Sequence, residues 1–221
     1  MNLSRRKFLE FLGVSASALA VGHFPAVETR ADIYFNRSLG FRFRKPHDWF
    51  FVSRLELGQM LVDQQLACPD EGQAQMLKDS VGLPMVSVAK SQPSRSDEPI
   101  FNLFVEELDG TEPSDVEAHG WAYAEVYRPY LKELSFYEIP RLIDFGNVSA
   151  CECGLRYLFE GAAGEVFPLR VRSILFPRGR FGYTLNMMDR EGVGWSEAVR
   201  KKFSSILTSF EFVELEDTRT A

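Results

Sequence analysis

The chain of 221 residues is 45% hydrophobic, 25% charged and 13% aromatic, the balance of a soluble globular protein with enough large side chains for one packed core. Its formal charge of -6, which becomes -8 once the +2 of residues 1–31 is set aside, excludes general nucleic-acid binding, because that needs a net basic surface. Three histidines in all, with His23 near the N-terminus, leave only His47 and His119 downstream, so no histidine-rich metal site or cofactor is expected.

In chain order, Ser4-Arg5-Arg6-Lys7-Phe8-Leu9 precedes a moderately apolar run at 11–22 that is rich in Ala, Ser and Gly and short for a membrane span. The pair Arg5 and Arg6, followed by Phe8 and Leu9, resembles a twin-arginine signal peptide. That resemblance implies passage through the twin-arginine translocase to a periplasm or thylakoid lumen, with no stable transmembrane anchor. Signal peptidase could cut after Ala20-Val21-Gly22 or after Thr29-Arg30-Ala31, and the second is favoured here. The expected division is a leader at 1–31, one domain at 32–212 and a polar tail at 213–221.

Residues 33–35 read as a short strand, followed by a turn at 36–39. Phe41 and Phe43 then alternate with Arg42 and Arg44, so the rings share one strand face; Pro46 ends the strand and Trp49 folds back as an anchor. Residues 50–52, 86–89 and 100–108 are further strands, while Pro69, Gly72, Gly82 and Pro84 make 53–84 an irregular excursion. Ser114-Asp115-Val116-Glu117 has the form of a capping box opening a helix whose stripe is Val116, Gly120, Tyr123, Tyr127, Leu131 and Leu134, ended or kinked by Pro129. An antiparallel run follows at 137–145, 147–153, 155–160, 167–176 and 181–188, with turns marked by Gly146, Gly154, the glycines at 161–164 and Pro177-Arg178-Gly179. A last helix near Ser196 carries Val199, Phe203, Ile206, Leu207 and Phe210. The fold class expected is α+β, an α-β-α sandwich with a central, mainly antiparallel sheet.

Two matches then make the chain resemble the PsbP-like proteins of the Mog/PsbP superfamily. Tyr34, Gly40-Phe41-Arg42-Phe43, Pro46 and Trp49 are similar to that family's opening pattern, and Gly182-Tyr183-Thr184-Leu185 with the run from Phe203 to Phe212 is similar to its closing strand and helix. The resemblance implies the same sandwich, no catalytic residue set, and a role as an assembly factor or accessory protein, with photosystem II the complex if the source is photosynthetic.

The residues themselves offer few chemical constellations. Arg170 and Arg172 share a strand face, and Arg178 and Arg180 flank the next turn; together they could dock an anionic partner, or they could be a solvated face paired with Glu160 and Glu165. Cys151 and Cys153 also share a face, leaving open a disulfide from Cys68 to one of them, free buried thiols, or a metal or redox site. Trp49, Trp121, Tyr123, Tyr127 and Tyr130 could line a cleft but fit core or interface positions better. Nucleophile elbows, phosphate loops, dinucleotide fingerprints and His-Glu-x-x-His are all missing, so no enzyme is expected. The function expected is an exported, non-enzymatic accessory protein that binds a protein partner at a membrane complex. The alternative is a periplasmic binding protein or sensor for a small molecule or metal, with a cleft near Trp49 and 53–84.

Overall fold

In the computed structural model the residues described are 27–53, 56, 84–92, 98–108, 115–129, 131–160, 165–192 and 197–213. Strands β1 (Val27–Arg30), β2 (Ile33–Asn36), β3 (Phe41–Arg44) and the terminal β11 (Glu211–Phe212) form an antiparallel sheet in the order β1-β2-β3-β11. The other seven strands are β4 (Phe50–Val52), β5 (Val86–Ala89), β6 (Ile100–Glu107), β7 (Ser135–Phe145), β8 (Val148–Glu160), β9 (Val166–Arg178) and β10 (Phe181–Arg190). They pair antiparallel throughout, in the order β4-β5-β6-β10-β9-β8-β7. The described residues also contain helices α1 (Val116–Tyr127) and α2 (Glu197–Ser209).

Helix α1 packs on β7, β8 and β9, where Ala124 joins Leu155, Tyr157, Phe167, Leu169 and Val171 in one buried cluster. The opposite face is closed by the small sheet and α2 together, rather than by a helix alone as the sandwich reading has it. The reason is the alternation in β3: Phe41 and Phe43 are buried while Arg42 and Arg44 are exposed, so this strand needs a sheet beneath it. Both rings stack on Phe210, at 5.3 Å and 6.2 Å, and Phe43 reaches Phe101 of the large sheet. Trp49, turned inward by a hydrogen bond from its amide to the Pro46 carbonyl, packs edge-on against Phe203 of α2 at 5.4 Å. Trp49 is therefore core, while residues 57–83, which the cleft reading also draws on, lie outside the described residues.

Other expectations shift for physical reasons. The N-cap of α1 is Asp115, whose carboxylate accepts from the Ala118 amide at 2.9 Å; Ser114, the expected cap, lies outside the described residues. The helix stops at Tyr127, ahead of Pro129, as expected. Gly154 marks no turn: β8 runs through it as one strand of 13 residues. A Cβ at 154 would sit 2.6 Å from the Tyr137 ring, and β7 is bulged opposite it, so this glycine makes room for an aromatic ring. Likewise β9 continues through Pro177, and the turn falls at Gly179, which takes the left-handed φ of 58°. Finally, Val27–Arg30, within the expected leader, is the strand β1.

Gly120 of α1 is a second close-approach position, because a Cβ there would lie 2.3 Å from the Cys151 sulfur and 3.1 Å from the Pro140 Cβ. Alanine is worth about 1 kcal/mol over glycine in a helix, but overpacking costs about 1–3 kcal/mol. Gly120→Ala is therefore expected to lower Tm by a few degrees, and in a Cys151→Ala background the same change should become neutral or stabilising. Thermal melts of the four combinations check this, and equal losses in both backgrounds would remove the steric explanation.

Candidate functional site

Strand alternation places Arg170 and Arg172 on the face of β9 that carries Ile174 and Phe176 farther along. The aromatic half of that face lies under the small sheet; the arginine half, running into β7, β8 and β10, bears charge instead. In register, Arg170 stands between Arg156 and Asp189, and Glu152 stands between Arg141 and Ile174. Two carboxylates are each shared by two guanidinium groups. Glu152, almost wholly buried, accepts from Arg141 at 2.6 Å and pairs with Arg172. Glu191, just past β10, accepts from Arg156 at 2.5 Å and pairs with Arg170. These contacts hold the Glu191 carboxyl below its usual range, the Arg156 hydrogen bond contributing most.

Beside these pairs sits Asp189, 0% exposed, with neither carboxylate oxygen hydrogen-bonded. Burial raises its pKa to about 7, opposed by the nearby Arg170 charge. The hydroxyl of Tyr137 and the Nε of Arg170 are likewise buried without partners, and the Arg170 guanidinium lies 5.4 Å over the Tyr137 ring. Burial, reinforced by Glu138, pushes the Tyr137 hydroxyl above its ordinary range.

The face toward α1 is the opposite case. There Ser87 bonds to Asn102, Ser173 donates to the Asn186 carbonyl at 2.7 Å, and the Asn186 amide donates to the Tyr123 hydroxyl at 3.2 Å. None of those atoms is left unsatisfied, so this ladder has the character of a structural network. Unpartnered polar groups gather at Asp189 instead, which makes the arginine face the candidate site.

The sequence-derived residues divide accordingly. Arg178 ends β9, roughly 20 Å along the strand from Arg172, and Arg180 lies in the turn just past it. Arg178 lies 3.7 Å over the Phe212 ring, and Arg180 pairs with Glu107 at 3.5 Å, so the four arginines are not one patch. Arg170 and Arg172 pair with Glu191 and Glu152 rather than with Glu165, because the β8–β9 and β9–β10 registers bring those carboxylates there; the Glu160 side chain lies outside what is described. Asp189, Glu152, Arg141 and Arg156 escape sequence reasoning, since only register unites them. The charged residue between two cysteines in Cys151-Glu152-Cys153 is the one local signal, an ion on the face opposite two buried thiols.

Cys151 and Cys153 do share a face, buried toward α1, and burial pushes their thiols up to about 11 and about 12, which keeps them protonated near neutrality. Neither is bridged within the described residues, outside which Cys68 lies together with Arg5, Arg6, Phe8 and Leu9. Among the described residues there is also no cluster of three metal-ligating side chains. His47 contacts Asp32 at 3.0 Å, and His119 lines a water-sized cavity, burial lowering its pKa to about 4. Edge strand β7 exposes Ile139 (66%) and Leu142 (56%), and on α1 Trp121 packs on Phe136 while remaining 41% exposed. No helix among the described residues is long and apolar enough to cross a membrane.

Neither a protein-family model nor a curated protein matches the chain. Solved structures do. A Bacteroides thetaiotaomicron protein aligns over 84% of this chain at 9% identity with a TM-score of 0.46, the match spanning 50% of that protein's length. LpqN, involved in cell envelope biogenesis of Mycobacterium tuberculosis, aligns over 79% of this chain and 83% of its own at 12% identity and a TM-score of 0.48. Cyanobacterial PsbP from Synechocystis aligns over 85% of this chain and 96% of its own, at 12% identity and a TM-score of 0.52. At that identity the likeness is one of fold, and this chain folds like cyanobacterial PsbP.

Proposed function

We propose that this chain is an exported, non-enzymatic accessory protein whose arginine face docks an acidic surface of a protein partner at a membrane complex, photosystem II if its source is photosynthetic. One observation carries the reading: four guanidinium groups share two carboxylates on one face of a chain whose net charge is -6. The local cationic excess suits electrostatic recognition of a partner. The fold shared with cyanobacterial PsbP and the twin-arginine pattern at Arg5 and Arg6 support the accessory and export parts of the reading.

The test is affinity capture from solubilised membranes of the source organism, with Arg141→Glu/Arg156→Glu compared against the parent chain. This double variant leaves Glu152 with Arg172 and Glu191 with Arg170, so each carboxylate keeps a partner while the face loses its positive excess. Capture is expected to fall by about tenfold or more and to recover little at low salt. Undiminished capture by a variant that melts like the parent would rule out the arginine face.

A further inference from the structure

We infer that the leader is removed by hydrolysis of the Gly22–His23 bond, so that the mature chain begins at His23 and keeps strand β1. The inference rests on the proposed export and goes beyond it, because the competing bond, Ala31–Asp32, is built into the fold. Thr29 and Arg30 are in register with Tyr34 and Ile33, so the residues before that bond belong to a hairpin. Ala31 holds the left-handed φ of 49°, which a non-glycine residue adopts in a tight turn and not in the extended conformation that a peptidase cleft grips. Asp32 is tied down from both its ends. Its carbonyl accepts from the Lys45 amide at 2.8 Å, and its carboxylate accepts from the buried Lys45 ammonium at 2.6 Å and contacts His47 at 3.0 Å. These contacts lower the Asp32 pKa, the Lys45 hydrogen bond contributing most.

Glu28 adds a further tie, pairing with Arg37 beyond the end of β2 at 2.5 Å. Cutting at Ala31 would strip β1 from the small sheet and leave β2 as a bare edge. Opening the hairpin first would break its pairing and the Asp32 contacts together. Hairpins close in about 1–10 μs, so β1 has paired long before a peptidase acts. The Gly22–His23 bond lies ahead of β1 and is preceded by Ala20 and Gly22 at the positions where small residues are read. Water adds across it to give the Gly22 carboxylate and the His23 ammonium, with a signal peptidase as catalyst.

The experiment expresses the full chain in a bacterium that has a twin-arginine translocase and signal peptidase. The periplasmic product is then read by N-terminal sequencing and intact mass. His23 as first residue is the expected result, and Asp32, a product nine residues shorter, overturns the inference while leaving export standing. Full-length chain confined to the cytoplasm sinks the export reading and this one with it. Gly22→Leu should accumulate precursor, and Ala31→Asn, which suits a left-handed turn, should be processed as the parent is. Reversal of those two phenotypes would place the cut at Ala31.

Discussion

Replacing Arg141 and Arg172 together by alanine is expected to destabilise the protein by roughly 3–5 kcal/mol, because the pair neutralises a carboxylate that has nowhere else to turn. Glu152 is 2% exposed, and both of its oxygens are committed to these two guanidinium groups. Arg141→Ala alone should cost under about 1 kcal/mol, since that side chain is largely exposed and Arg172 remains in place. Adding Glu152→Gln to the double variant should recover most of the loss, because the amide removes the buried charge and preserves the shape. Urea unfolding of the single, double and triple variants measures all three steps. A triple variant no more stable than the double would show that lost packing of the arginine stems, and not an uncompensated charge, sets the cost.

The second large effect is a fall in stability with rising pH that centres on Asp189. Its carboxyl holds its proton to about pH 7 when folded but releases it near 3.8 when unfolded. Between those values the folded state binds more protons, and stability drops as pH rises. The gap from 3.8 to about 7, at 1.36 kcal/mol for each pH unit, corresponds to roughly 4 kcal/mol. For a chain of this size that is on the order of 10 °C in Tm between pH 4 and pH 8. Glu106, raised by burial to about 7, adds a loss of the same sign. His119, lowered by burial to about 4 from 6.5, works the other way: its contribution is lost as pH falls through that interval. Asp189→Asn should therefore match the parent near pH 4.5 and melt several degrees higher at pH 8. Thermal melts across that range decide the matter, and parallel profiles for the two proteins would mean that Asp189 is ionised in the fold at neutral pH.

Local patterns carried much of the fold. Alternation in Phe41-Arg42-Phe43-Arg44, the turn at Gly146 and the apolar positions of α2 all act between neighbouring residues, and each element forms where its pattern stands. Gly154 misleads because its reason is not local. A glycine that vacates space for a ring on the adjacent strand has the same sequence signature as one that turns the chain. The site was half legible for a related reason. Arg170 and Arg172 show their shared face by spacing, but Glu152, Glu191 and Asp189 join them only through strand register.

The sequence alone therefore determined composition class, the strand and helix periodicities, and the shared faces of Arg170 with Arg172 and Cys151 with Cys153. Tertiary structure alone decided that one face of the large sheet is closed by a second sheet, that Arg178 and Arg180 belong elsewhere, and that β1 is part of the fold. The physical reason is range. Periodicity reports what a residue's own backbone neighbours impose, whereas desolvating Asp189, sharing Glu152 between two arginines and pinning Asp32 to Lys45 each require segments that meet only when the sheets assemble.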